Sequence, residues 1–465
     1  MKRRALTAAL LATLGGCTVG RDYARPELPV APAFRAEALG TPVALGQGWW
    51  RAFGDPVLDG LIARGLSDNL DLAQAVARVS QARAAAAAAG AARLPAIEAT
   101  GTATGTRQSL EGPLGNVISQ FPGFDRNASQ FDVGIGAAWE VDLFGGLARG
   151  SEAARADLMA SEAGVIAARQ MVAAEIADAY LLLRAAQVRL ALAGERERDD
   201  LRLRDLVAMT VRAGITPRRD ADLAEAQLAQ TQAALPPLRL ATEAQMNRIA
   251  VLTGQPPQAE RSELERPAPI PDGGSVALGV PADLLRNRPD IIVAELRLVA
   301  ANARTGKALS DYYPKFSLRA LLGLQSQGLG ALASGSAVTG STVLGLRWRL
   351  FDFGRLDAEI AAARGREAEL LAAYRLAVLR AAEDVENAGA ARRERVAQRD
   401  SIRVSVRSLE QSVSALQAAY RAGTVSLIEV LSAQRQLSAA TDREAETTAE
   451  VSRTAVAIAR AVGAP

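Results

Sequence analysis

The sequence predicts an α+β protein built from an internal duplication, and three observations carry that prediction. The stretch from Trp348 to Glu429 repeats an upstream one from Trp139 to Asp220 without gaps, pairing Trp139 with Trp348, Gly145 with Gly354, and Arg212-Ala213-Gly214 with Arg421-Ala422-Gly423 at a constant offset (423 − 214 = 209). Each copy opens as an alternating strand of about ten residues. Past a Phe-Gly step, each becomes an alanine-rich helical pattern without proline, Leu147 to Arg212 and Leu356 to Arg421, that could reach roughly 100 Å at 1.5 Å per residue.

Composition excludes much of enzymology. The 465 residues include no histidine and one cysteine, which removes His-dependent catalysis and most metal sites, so neither an enzyme nor a cofactor is expected. Beyond Lys2 the only lysines are Lys307 and Lys315, and neither lies in a phosphate-binding loop. The formal net charge of +3 is matched by Lys2, Arg3 and Arg4 at the extreme N-terminus, so nucleic acid is not an expected partner.

The N-terminus reads as an address. A charged start, an apolar run from Ala5 to Leu14 and Leu14-Gly15-Gly16-Cys17 make residues 1–16 a cleaved signal peptide, because the run is too short to span a bilayer core of roughly 30 Å. Leu14 to Cys17 resembles a bacterial lipobox, which makes Cys17 the lipidation site, and Thr18 after it favours the outer membrane. Residues 17–57 carry Pro26, Pro29, Pro32, Pro42 and Pro56 and should form an extended, lipid-anchored tether, pinned at its end by Trp49, Trp50 and Phe53.

The first repeat is assigned to residues 58–254, an inter-repeat linker to 255–280 and the second repeat to 281–465. One helix is expected from Leu61 to Arg93, with a counterpart from Asp283 to Asp311 at an offset of 219 (290 − 71). Four alternating stretches follow the two helices. Ile97, Ala99 and Ala103 mark the first; Phe131 to Val141 the second; Phe316 to Leu324 the third; Leu344, Leu346, Trp348 and Leu350 the fourth. The pattern fits both a half-buried sheet and tilted membrane-crossing strands. Four strands cannot close a barrel in lipid, so the second reading requires an oligomer.

Within the long helices, Val172, Ile176, Ala179, Leu183, Ala186 and Leu190 form one coiled-coil seam, and Ile402, Val406, Leu409, Val413, Leu416 and Tyr420 another. Hairpin turns follow at Gly214 and Gly423, with Thr216-Pro217 expected as N-cap and first residue of one returning helix and Ser426 to Glu429 as a capping box for the other. Pro236-Pro237 should break or sharply bend the first returning helix and leave irregular structure midway. The strand-to-helix hinges look nearly alike in the two copies, and the tips look divergent, Ile215-Thr216-Pro217 against Thr424-Val425-Ser426.

These features together resemble the outer-membrane factor family of tripartite efflux systems, in its lipoprotein subgroup serving resistance-nodulation-division (RND) pumps. The residues that carry the resemblance are Cys17 with Tyr23 and Arg25-Pro26, Trp49-Trp50 with Asp55-Pro56, Trp139 to Gly145, Leu235 to Arg239, Asn287 to Ile291, Tyr313-Pro314 and Tyr420 to Gly423. The resemblance implies an α+β membrane protein. Its homotrimer would form a twelve-stranded outer-membrane barrel, four strands per chain, continued by a helical coiled-coil tunnel through the periplasm with an equatorial belt that includes the linker. It implies passive conduction from an inner-membrane RND pump and a periplasmic adaptor, with outer-membrane lipid around the barrel.

By the same resemblance Tyr420, Glu429 and Asp220 fall at the periplasmic gate; Arg212, Gly214, Arg421 and Gly423, at the two turns, are candidates for adaptor or tip contact. The residues also admit plainer roles: Tyr420 continues a seam, Glu429 caps a helix, and the two arginines end helices. A type I conduit secreting proteins would share the fold, and a structural envelope lipoprotein would share only the coiled coil.

Overall fold

A computed structural model of the chain describes residues 18–27, 48–118, 123, 125–259, 261–273 and 287–463. Cys17 and the signal peptide lie outside the described residues. The chain divides into two compact units, one built from residues 18–26, 80–160 and 295–373, the other from 48–79, 161–294 and 374–463, as far as these are described.

The first unit holds the sheet. β1 (Ala96–Arg107), β2 (Asn127–Val141), β3 (Lys315–Ser326) and β4 (Val338–Arg347) form an antiparallel meander in the order β1-β2-β3-β4. Its register places Ile97 opposite Ala137, Trp139 opposite Leu318 and Lys315 opposite Arg347. The fourth strand stops short of expectation at Arg347. Trp348, just past its end, donates its indole N–H to the carbonyl of Tyr312 at 2.9 Å, as Trp139, still within β2, does to that of Arg93 at 2.9 Å. A short helix, α3 (Pro113–Ile118), sits in the β1–β2 connection.

Two helices precede β1 where one is expected: α1 (Pro56–Asp68) and α2 (Leu70–Ala91). The break falls at Asn69, whose buried side chain accepts from Leu72 N–H and donates to the carbonyl of Leu252, both at 2.9 Å. An asparagine that caps a new helix and stitches the end of a distant one gains more than helix continuity offers. The second copy breaks at the matching place, Arg288, just before α7 (Pro289–Ser310).

Long helices dominate the second unit and extend into the first. α4 (Gly146–Arg212) and α8 (Arg355–Arg421) are unbroken and 67 residues each; α5 (Arg218–Leu252) and α9 (Leu427–Ala461) return, 35 residues each. Of the break or sharp bend expected at Pro236 and Pro237, the break does not occur: α5 runs through both. The two prolines delete two N–H donors, but Leu228, Thr231 and Leu235 just before them are buried, so packing holds the helix through the gap.

Among the described residues of this unit, irregular structure instead comes from 253–259 and 265–273, on either side of the short α6 (Arg261–Leu264). Buried Arg184 donates to the carbonyl of Arg266 at 2.7 Å, and Ser452 donates to the carbonyl of Pro271 at 2.6 Å. A core of Leu58, Leu61, Ile62, Ile176, Leu183 and Ile249, all fully buried, fixes α1, α4 and α5 together with Trp49 and Phe53. Each such side chain contributes about 1.5–3 kcal/mol. The end of the tether is more ordered than its composition suggests. Trp49–Phe53 is a turn of 3₁₀ helix, and Asp55 caps α1 by accepting from Val57 and Leu58.

The first seam is buried from Val172 through Ala186, whereas in the second only Val406 and Val413 are buried. Ion pairs lace the four long helices in the order α5, α4, α9, α8 through Arg248–Glu175 at 2.6 Å, Arg453–Asp178 at 2.5 Å and Arg395–Glu450 at 3.1 Å. Their partial exposure limits each to about 0–1 kcal/mol, so they set alignment more than stability.

Candidate functional site

Three features bear on function: a sheet with bare faces and edges, a strap across the strand-to-helix junction, and the paired helical tips. Ile97, Val133, Ile135, Leu322, Leu344 and Leu346 share one face of the sheet, and each is more than half exposed. A half-buried sheet would cover them, and the chain's own packing leaves them bare, as strands facing lipid are. The other face carries Thr100, Thr102, Thr104, Asp132, Ser317, Arg319 and Gln325, polar groups suited to water. Apolar outside and polar inside at period two is the pattern of a barrel wall between lipid and a wet lumen. β1 and β4 each pair on one side only.

The strap is the segment that directly follows Cys17. Val19 N–H donates to the carbonyl of Phe144 at 3.1 Å, and Arg25 forms two bonds to Glu295 at 2.5 and 2.7 Å. Arg149, buried in the first turn of α4, donates to the Val19 carbonyl and pairs with Asp22 and Glu152, each at 2.8 Å. Burial pulls the Arg149 pKa down, but the bonds to Glu152 and Asp22 outweigh it and leave the guanidinium more firmly charged than usual. Sequence reasoning missed Arg149. The available signal was a cation in the first turn of a long helix, where the dipole disfavours it unless acids attend it.

At the tips the backbones agree closely. Gly214 and Gly423 have φ of 73° and 74°, and each helix ends in the same pair of bonds: Ile215 N–H to Thr210 O at 2.9 Å with Gly214 N–H to Val211 O at 3.0 Å, and Thr424 N–H to Ala419 O at 3.0 Å with Gly423 N–H to Tyr420 O at 2.9 Å. This is the Schellman closure, which needs the left-handed residue that glycine supplies. Pro217, not Thr216, occupies the cap position of α5, since Thr216 turns its hydroxyl to Thr210 instead.

The gate candidates meet at this end. Val207, Ala224, Leu427 and Leu431 form a small buried cluster joining α4, α5 and α9, and Tyr420 packs against it, half-buried. Burial and then the Asp220 charge push the Tyr420 phenol above its usual pKa. Asp220 is itself buried, with Arg219 3.5 Å away. Glu429 is exposed and accepts from the backbone N–H of Ser426 at 2.9 Å, the reciprocal arm of a capping box. Arg212 and Arg421 are exposed, and Arg212 donates to the carbonyl of Ala208.

Comparison with known proteins meets this geometry directly. Residues 61–255 and 280–464 match the family described as outer membrane efflux protein. The chain belongs to that family. It is 31% identical to nodulation protein T of Rhizobium leguminosarum bv. viciae over 443 residues, which covers 94% of this chain and 88% of that protein. It is 32% identical to the pyoverdine export outer membrane protein OpmQ of Pseudomonas putida over 426 residues, 90% of this chain and 88% of that protein. Among solved structures, the outer-membrane channel OprN superposes with a TM-score of 0.88 at 32% identity, covering 97% of this chain and 99% of that one.

The chain therefore has the fold of the trimeric outer-membrane factor channels, four strands per chain continued by long helices. Its role is that of an outer-membrane efflux duct. The family and these relatives are channel proteins rather than enzymes.

Proposed function

We propose that the chain is the exit duct of a tripartite RND-type efflux system, working as a homotrimer with a periplasmic adaptor and an inner-membrane RND pump. The observation that carries this reading is the four-stranded sheet, open at β1 and β4 and bare on its apolar face, feeding directly into two 67-residue helices. An open edge in lipid leaves backbone N–H and C=O groups without partners, so neighbouring copies must supply them. Three copies give twelve strands, wide enough for a wet lumen.

The helices then carry that lumen away from the membrane, one repeat over residues 58–254 and the other over 281–465, with the linker in a belt around them. Transport needs no chemistry from the chain itself; the pump supplies the energy. Cys17 is the lipid anchor, and the strap that follows it lies against Phe144 through Val19 and against Gly145 through Thr18. At the far end Tyr420, Asp220 and Glu429 form the gate, and Arg212, Gly214, Arg421 and Gly423 lie on the turns offered to the adaptor.

The test is electrical. Purified mature protein in planar bilayers should conduct ions as a trimer, and truncating the two tip turns should raise the resting conductance. A protein that stays monomeric, or that never conducts with its tips removed, would sink the duct.

A further inference from the structure

We propose that the seam between neighbouring copies is registered by an ion pair, Glu98 at the β1 edge of one copy against Arg347 at the β4 edge of the next. The proposal rests on the three-copy barrel above. The meander is antiparallel throughout, so β4 runs opposite to β1, and the start of β1 lies at the same end of the sheet as the end of β4. Glu98 faces Gly136, Gly136 faces Leu321, and Leu321 shares a face with Lys315, which faces Arg347. Glu98 and Arg347 therefore lie on the same face, at opposite edges.

Few registers remain at the seam. Seating all of β4 (Val338–Arg347) against β1 (Ala96–Arg107) puts Arg347 opposite Ala96, Ile97 or Glu98. The Ile97 register turns the polar face of one copy onto the apolar face of the next and is excluded, because a slip of one residue swaps faces. In both survivors Glu98 is a neighbour of Arg347, directly opposite or one step diagonal.

Charge decides between them. Lys315 and Arg347 stand opposite each other as like charges, and Lys315 is answered by Asp311 at 2.6 Å. Arg349 is answered by Glu359 at 3.3 Å. Among the described residues Arg347 has no carboxylate partner, and Glu98, also exposed, has no cation. Direct opposition, with Arg347 facing Glu98, neutralises both on every one of three seams, and it fixes the stagger on which barrel width depends.

Double-cysteine cross-linking tests the register in the full chain. Residues directly opposite on adjacent strands have Cα atoms about 4.5–5.5 Å apart, within disulfide reach. Glu98→Cys with Arg347→Cys should give covalent dimers and trimers that reductant dissolves, while either single variant should not. A ladder from Glu98→Cys with Gly345→Cys in its place would overturn the register. In parallel, Glu98→Arg and Arg347→Glu should each lose detergent-stable trimer and the double reversal should restore it; single reversals without effect would overturn the ion pair. A trimeric wild type whose Glu98→Cys, Arg347→Cys variant gives no ladder refutes only this seam, whereas a monomeric wild type refutes the three-copy reading itself.

Discussion

The two strand-to-helix hinges share Trp, Phe and Gly at the same spacing and differ in what lies on them. At the first, Phe144 stacks on Tyr313 with ring centroids 4.6 Å apart, and the strap lies so close that a Cβ on Gly145 would meet Thr18 at 2.6 Å. At the second, nothing lies within 4 Å of Gly354's added Cβ, and Phe353 is fully exposed with φ of 56°. Even the acid that caps the long helix has slid by one position: Asp142 accepts from Leu147 and Ala148, Asp352 from Gly354 and Leu356. Duplication reproduced the backbone twice, but the chain has one N-terminus and can cover only one hinge. The hinges, nearly alike in sequence, thus differ in cover and in the φ of Phe353, whereas the tips, divergent in sequence, close with the same pair of backbone bonds.

The largest effect should separate the copies at the helix breaks. Asn69 holds the carbonyl of Leu252, and Arg288 holds the carbonyl of Ala461 at 2.5 Å, with positions offset by 219 and 209 as the repeats are (288 − 69 and 461 − 252). Arg288 also pairs with Asp290 at 2.7 Å and Asp384 at 3.2 Å, so Arg288→Ala strands three acceptors and should cost about 3 kcal/mol. Asn69→Ala removes a cap and one bond and should cost about 2 kcal/mol. Urea titration of the solubilised protein gives both numbers. Equal losses would mean that the carbonyl stitch alone matters and the added ion pairs contribute nothing.

Next come the hinges. Gly145→Ala combines left-handed strain with a clash against the Thr18 backbone and should cost about 2 kcal/mol, freeing the strap to proteolysis after Thr18. Gly354→Ala meets open space and should cost only the strain, about 1 kcal/mol. Limited proteolysis with mass spectrometry reads the strap, and thermal melts read the stability. If both variants release the strap equally, the cover over Gly145 is incidental.

Much of this was legible because repeats and periodicity are local in sequence. The long helices, their glycine turns, the four strands and the capping box at Glu429 follow from spacing alone. What the sequence hid depends on distant partners. Asn69 reads as one polar residue in a helix former's run until Leu252 arrives beside it, and Pro236-Pro237 reads as a break until the burial of Leu228 and Leu235 is known. Arg149 is the same case, a cation whose four partners come from the strap and its own helix. At the proposed gate, the resemblance placed Tyr420 and Asp220 at one end, but not the burial that couples them.

That coupling predicts a smaller, pH-dependent effect confined to one tip. The Tyr420 phenol is held above its ordinary value of 10.0 by burial and by Asp220, so the folded tip keeps a proton that the unfolded chain would release. The stability it represents is intact below about pH 10 and is lost as pH rises beyond it. The melting temperature should therefore fall as pH rises above about 10, and Tyr420→Phe should flatten that limb. An unchanged limb would assign the alkaline loss to another group.

The smallest expected change in stability distinguishes the two acids of the tip. Asp220 is buried beside Tyr420, whereas its counterpart one repeat on, Glu429, is exposed and accepts from Ser426 N–H at 2.9 Å (429 − 220 = 209). Glu429→Ala removes both the cap, worth about 1 kcal/mol, and the charge, so it cannot tell the roles apart. Glu429→Gln can, because glutamine serves a capping box as glutamate does while carrying no charge. The melting temperature should stay within error of wild type. Resting conductance should nevertheless rise and block by divalent cations should weaken, since three exposed carboxylates around a closed pore attract cations and three amides do not. If conductance and block are unchanged in Glu429→Gln, Glu429 is a helix cap alone, and the gate charge must be sought at Asp220.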